Sequence, residues 1–370
     1  MPETARVIAF PRRPQIAISA AEAAEAAENL YSGSRGLSED FDQTLFANPD
    51  FLVSACKHLR GASDVTPQAV AEHATLLYER ISECSSVGLF DEKDYFLGET
   101  ALIASGAFRH LGQREEAERW LDRSDACFRH TLNPGPSLAN VTYARLALRY
   151  EMRRYQEVVE LVPSLARSYE RLGMQLEASK ARFLLAASLK LVGRQGHAYR
   201  LLESMGADQA VRAEPALLGQ VLMEMGEYSV SQSDFVAAIN NFQEALPLLK
   251  SANRPIALAN LKYVLGDAFR QQGNLTGAHA AFKEALVDFR GLGMTTYVAY
   301  LHVVVAETLL AMNRPREAEW EILAALPTID REKMAPEGIA AVGLLHESVS
   351  RRKTDPKALQ EVREHLQKLA

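Results

Sequence analysis

A chain of 370 residues that is 48% apolar and 24% charged carries enough apolar side chain for a large core, and its length suits two average domains or one extended array. Its 41 basic and 47 acidic residues are interspersed and leave a formal charge of -6, which argues against general binding to nucleic acid or anionic membrane, since both draw on a basic surface. No run approaches the ~18 apolar residues of a membrane helix, and Cys56, Cys84 and Cys127 share no metal-ligand spacing, so a cytoplasmic protein with reduced, buried thiols is expected.

Residues 1 to 37 read as a mobile arm. Pro2, Pro11 and Pro14 favour extended chain, and Ser19-Ala-Ala-Glu22 forms a capping box for a weak Ala/Glu helix that stops near Gly33. Residues 38 to 90 read as an N-terminal helical cap of two helices. One carries Phe41, Leu45, Phe51, Leu52, Cys56 and Leu59; the other starts at Thr66-Pro67, where proline suits the first helical position. Asp91, Glu92 and Asp94 then fit the positive end of a helix dipole better than a metal site.

From residue 91 to 330 the chain repeats itself at a spacing of forty. Ala278-His-Ala-Ala-Phe282-Lys-Glu-Ala285-Leu286 recurs as Ala238-Ile-Asn-Asn-Phe242-Gln-Glu-Ala245-Leu246 and as Ala318-Glu-Trp-Glu-Ile322-Leu-Ala-Ala325-Leu326. Further steps reach Ala198, Val158 and Ala117, and a forward step reaches Ala358, in a helical pattern that Asp355 and Pro356 would start. Residues 331 to 370 accordingly read as a degenerate seventh unit.

Each unit reads as two helices. Leu261, Leu265, Ala268 and Phe269 share one helical face, Gly273-Asn274 breaks the pattern, and Ala278, Phe282, Ala285 and Leu286 form a second face. Gly266 and Ala278 would let the two backbones approach, with Phe282 filling space toward the neighbouring unit. Gly273, Gly112 and Gly193 would supply the left-handed conformation that ends the first helix, and Gly173 and Gly293 the one that passes to the next unit. Trp120 and Trp320, on second helices, would cover seams between units.

Leu265-Gly266, Ala268-Phe269, Gly273, Ala278, Phe282 and Ala285 resemble the signature of the tetratricopeptide repeat (TPR), in a long variant of about forty residues rather than the usual 34. The resemblance covers about Tyr95 to Leu326 as six units. It implies an all-α, right-handed superhelical solenoid of antiparallel helix pairs, with a concave groove lined mainly by first helices. Helix pairs that cannot bury both faces alone must stack in this way on physical grounds too.

Register then nominates groove residues. One row contains Tyr143, Phe183, Met223 and Tyr263, continuing to Val303. A second contains Tyr150, Lys190 and Arg270, continuing to Leu310. A third contains Glu227, Asp267 and Glu307. Lys180 and Lys190 would make the middle of the groove basic. The paired basic and asparagine residues with which some TPR proteins clamp a peptide carboxylate are absent as a set.

The sequence contains no phosphate-binding glycine loop, HExxH, GxSxG or EF-hand pattern, and its histidines are scattered, so neither catalysis nor a cofactor nor a metal is expected. The expected role is a non-enzymatic scaffold or adaptor that holds a protein or peptide partner in the groove. The alternative is a ligand- or peptide-responsive regulator, similar to Rap-type proteins, whose array repositions the N-terminal helices.

Overall fold

The computed structural model describes residues 43–62, 66–85, 87 and 92–352. The arm with its Ser19 helix, Phe41, Asp91 and the pattern expected from Asp355 through Ala358 lie outside the described residues. Between Ser188 and Leu189 the chain divides into two compact units.

The first unit contains a 3-10 turn (Gln43–Ala47) and α1 (Pro49–Ala62), α2 (Pro67–Glu83), α3 (Glu92–His110), α4 (Arg114–Arg129), α5 (Gly135–Glu151) and α6 (Tyr155–Arg171), with α7 (Gln175–Leu191) ending just past the division. The run from Leu45 to Leu59, expected as one helix, is broken. Pro49 occupies the first turn of α1, and the Asn48 side chain accepts from the backbone N–H of Asp50 at 2.9 Å and of Phe51 at 3.2 Å, so a new helix starts there.

The second unit contains α8 (Gln195–Ala207), α9 (Gln209–Arg212), α10 (Pro215–Ser231), α11 (Phe235–Ser251), α12 (Pro255–Gln271), α13 (Leu275–Gly291), α14 (Thr295–Ala311), α15 (Pro315–Arg331) and α16 (Ala335–Arg352). Packing is sequential. Helices α10 and α11, α12 and α13, and α14 and α15 lie against each other as pairs, and α10 also touches α12, the first helix of the next pair.

The period of forty comes from helix length. α12 and α13 each have 17 residues, as do α14 and α15, and only three residues separate one helix from the next. At each such turn the middle residue is left-handed. It is glycine at Gly273 (φ 87°) and Gly293 (φ 70°), but Ser233 (φ 61°), Asn253 (φ 50°), Asn313 (φ 58°) and Lys333 (φ 51°) adopt the same conformation. The following N–H closes the turn onto a carbonyl five residues back, Asn274 N to Phe269 O at 2.8 Å and Arg314 N to Leu309 O at 2.8 Å. Satisfying otherwise orphaned carbonyls offsets the cost of a non-glycine residue there.

In the second unit one connection departs from this rule. α8 has only 13 residues, and four-residue α9, started by the Asp208 carboxylate accepting from Ala210 N at 2.9 Å, fills the missing length. Ala213, at the turn position, keeps φ at -75°.

Inside each pair, two facing positions trade volume. A Cβ on Gly266 would lie 2.6 Å from the Phe282 ring, and one on Gly226 would lie 2.4 Å from the Phe242 ring. Phe282 therefore fills the space that Gly266 leaves within its own pair, and it also belongs to the core shared with the next pair, which includes Ala299 and Val305. Where the first position is larger, the second is smaller: Leu146 faces the register of Val162, and Ala306 that of Ile322, all buried in their cores. Trading size across the two positions fills the space between paired helices at interior packing density.

The two tryptophans part company. Trp120 is 2% exposed and packs against Tyr78 of α2, ring centroids 5.2 Å apart, so it joins the N-terminal helices to the first repeat. Trp320 is 69% exposed, which corrects the expectation that it covers a seam. Cys56 is buried and its thiol is pushed up to about 11 by that burial; Cys84 and Cys127 are half-buried.

Candidate functional site

A concavity of about 870 Å³ lies in the first unit, where α3, α5 and the start of α7 present their inner faces. These are the first helices of their pairs, and their inner faces line the concavity. Tyr143 and Ala147 line it from α5, Leu102 and Gly106 from α3, and Glu177 and Lys180 from α7. Tyr143 is half-buried, and burial pushes its phenol up, so it presents a neutral hydroxyl.

Polar groups are set into this apolar wall. Tyr169, 1% exposed on α6, donates to either Ala139 O (3.1 Å) or Asn140 Oδ1 (3.0 Å), which fixes the Asn140 carboxamide at the lining. Glu99, 5% exposed, pairs with Arg60 of α1, and Arg109 pairs with Glu151 of α5. Lys180 is exposed and makes no ion pair among the described residues.

Lys180, expected in the middle of the groove, lies at this lining, but the rest of its row was not nominated. Glu99, Asn140 and Lys180 occupy matching positions of α3, α5 and α7, and the same position continues as Gln220, Asn260 and Tyr300. A polar residue recurring at one position of otherwise apolar first helices was the available sequence signal.

The second unit treats its first helices differently. Lys190 donates to Glu224 Oε2 at 2.6 Å and Glu227 Oε2 at 3.0 Å. Burial opposes the lysine charge, but the two carboxylates outweigh it and hold its pKa above the usual range. Glu227 is shifted upward, first by burial and then by Glu224. Arg270 bonds Asp267 Oδ1 at 2.7 Å and reaches Glu307 Oε2 at 3.8 Å, while the Tyr263 and Tyr300 hydroxyls meet at 3.1 Å. Burial and that hydroxyl contact push the Tyr263 phenol up.

Of the nominated residues, Tyr263, Asp267, Arg270 and Glu307 thus come together, as do Lys190 and Glu227; Tyr143 lines the large groove. Tyr150 turns instead to Tyr155, ring centroids 5.3 Å apart, and Met223 packs on the α10–α12 core. Phe183 is half-buried on α7. Val303 and Leu310, 5% and 3% exposed, are core residues, because α14 is covered by α13, α15 and α16 together.

Glu92 and Asp94 lie in the first turn of α3, and among the described residues no three His, Cys, Asp or Glu side chains could hold a metal ion. No helix among those residues is long and apolar enough to cross a membrane.

Solved structures with the same succession of helix pairs identify the architecture. The quorum sensor NprR from B. thuringiensis, in its apo form, matches at 12% identity over 90% of this chain and 90% of its own, with a TM-score of 0.62. The chain has a tetratricopeptide-repeat-like fold. A STAND ATPase with a tetratricopeptide repeat sensor, PH0952 from Pyrococcus horikoshii, matches at 13% identity and TM-score 0.60 over 90% of this repeat protein, and the Cut9-Hcn1 hetero-tetramer of the APC/C matches at 17% and 0.54 over 89%. The repeat protein spans 53% and 63% of the lengths of those two chains. No family model and no curated protein matches the sequence.

Proposed function

We propose that this repeat protein is a non-enzymatic scaffold that holds an extended protein or peptide segment in the groove of α3, α5 and α7. The observation that carries this reading is the groove itself. Its 870 Å³ exceeds what one side chain needs, and its wall combines apolar surface with hydrogen-bonding groups, the Asn140 carboxamide that accepts from Tyr169 and the Tyr143 hydroxyl among them. A peptide backbone offers both donors and acceptors, so affinity would come from apolar anchors and orientation from the carboxamide. Lys180 adds an exposed positive charge for an acidic group of the partner.

The test is selection of binders from a displayed library of linear peptides against the full chain, followed by titration of the enriched peptides. Asn140→Ala/Tyr143→Ala is expected to weaken them at least about tenfold, the loss of roughly 1.4 kcal/mol. Enriched peptides that bind this variant and the parent equally well would rule the groove out.

A second reading is favoured by one contact. Arg60, on α1, lines the groove and pairs with buried Glu99, so a ligand that competes for Glu99 would loosen the polar tie between the end of α1 and α3. The protein would then act as a ligand-responsive regulator, a role that the likeness to a quorum sensor and to a repeat sensor supports by analogy. Hydrogen exchange across 49–83, with and without an enriched peptide, tests it: unchanged protection removes the switch and leaves the scaffold.

A further inference from the structure

A second, smaller cavity sits in the other unit, bounded by α12, α14 and the first turn of α16, and encloses about 260 Å³. Tyr263, Tyr297 and Tyr300 form its walls, Phe289 and Met334 are also in its lining, and Glu337 is the one charged side chain that lines it among the described residues. We propose that this pocket takes the cationic end of a lysine or arginine side chain belonging to a bound peptide. The source of that side chain rests on the peptide-binding reading above; the chemistry of the pocket does not.

Size argues for a single side chain. Pockets for whole small ligands run from about 300 to 1,000 Å³, and this one falls just below that range.

The walls argue for a cation. Tyrosine faces are electron-rich and attract ammonium or guanidinium groups within about 6 Å of the ring centre. The Tyr263 and Tyr300 rings meet at 68° with centroids 5.9 Å apart, joined at their hydroxyls. Tyr297 stacks on Phe289 at 5.0 Å and keeps 49% of its surface exposed. Phe289 is 1% exposed, so the ring that backs Tyr297 is fixed by the core.

Charge agrees with the walls. Glu337 makes no ion pair among the described residues. The nearby guanidinium of Arg270 bonds Asp267 and reaches Glu307, two carboxylates for one positive charge. An incoming cation therefore meets the Glu337 carboxylate in the lining, and the half-buried Asn260 carboxamide offers an acceptor beside it.

The full chain labelled with 3-fluorotyrosine provides the test, with Tyr297→Phe and Tyr300→Phe assigning the fluorine signals. It is titrated with N-acetyl-lysine methylamide, N-acetyl-arginine methylamide, the uncharged N-acetyl-norleucine methylamide, and tetramethylammonium. The lysine and arginine amides are expected to shift the Tyr297 and Tyr300 signals saturably, with the norleucine amide at least about fivefold weaker, the scale of an exposed cation–π contact plus a carboxylate. Glu337→Gln is expected to remove most of that preference without disturbing the fold.

Equal shifts by norleucine and lysine amides, or none by either basic amide, overturn the proposal. Tetramethylammonium binding tenfold tighter than both amides overturns it in favour of a free quaternary ammonium ligand. The two readings fail separately. Enriched library peptides that bind without any basic preference, while the basic amides leave the fluorine signals unmoved, sink the pocket and spare the groove. Basic amides that bind while no peptide is enriched sink the groove and spare the pocket.

Discussion

The two compact units build the same helix pairs and leave opposite inner faces. In the first, Tyr143, Asn140 and Lys180 line a groove of 870 Å³; in the second, Lys190 is held by Glu224 and Glu227, Arg270 by Asp267, and a cavity of 260 Å³ lies among tyrosines. Inside the pairs both units set glycine against phenylalanine, Gly226 with Phe242 and Gly266 with Phe282 in the second and Gly98 with Phe128 in the first, and the first unit adds Leu146 in the register of Val162. The difference teaches that register selects which face points inward, while side-chain pairing decides whether that face remains available to a partner.

The largest effect tests the packing half of that comparison. Phe282→Ala is expected to lose ~3–5 kcal/mol in urea unfolding, because the ring fills the space above a glycine and nothing nearby can collapse into it. Val162→Ala should lose less, since fewer methyl groups leave. Equal losses would break the claim that the glycine–phenylalanine pairs concentrate more packing in one side chain.

Next, Gly266→Leu alone should cost ~1–3 kcal/mol through overpacking against the Phe282 ring. Adding Phe282→Val recreates the pairing of Leu146 with Val162 and should recover at least half of that loss. A double variant no more stable than the single one would show that pair volume is not the controlling quantity.

The third prediction concerns charge held by the second unit. Burial pushes the Glu321 carboxyl up, but hydrogen bonds from His302 Nδ1 (2.6 Å) and Lys283 Nζ (2.9 Å) and the lysine charge outweigh it and hold it at about 2. That folded value lies below the ordinary 4.5, so the stabilisation is complete above pH of about 4.5 and is lost as the pH falls through about 2. Glu321→Gln should therefore lower stability by on the order of 2 kcal/mol at neutral pH. The gap between the two proteins should close on acidification, and a gap that is constant with pH would contradict the assignment.

The smallest effect tests the inner face itself. Arg270→Gln removes a half-exposed ion pair and should cost only ~0.2–1 kcal/mol, less at high salt. A loss of several kcal/mol would mean that Arg270 is structural, and that the second unit is closed by packing rather than by exposed charge.

Much of the architecture was legible because it rests on local rules. The spacing of Ala238, Ala278 and Ala318 marks where second helices touch first ones, and Gly273 and Gly293 mark turns whose left-handed conformation glycine adopts without strain. Arg153 and Lys333 occupy the same conformation with nothing in their chemistry to announce it, since the turn is closed by backbone hydrogen bonds. The candidate site was less legible. Tyr263, Asp267, Arg270 and Glu307 were nominated together and lie together, but their mutual bonds leave little for a partner, and the polar row of Glu99, Asn140 and Gln220 was passed over beside its apolar neighbours.

By itself, the sequence determined the repeat length, the helix pairs and the residues at their contacts, because these follow from periodicities of a few residues along one chain. Only the tertiary structure decided that Val303 and Leu310 are core, that Arg60 of α1 reaches Glu99, and that Lys190 spends its charge on Glu224 and Glu227. Those outcomes depend on which side chains meet across helices tens of residues apart, and a charge or an aromatic ring reads identically along the chain whether it is paired or free.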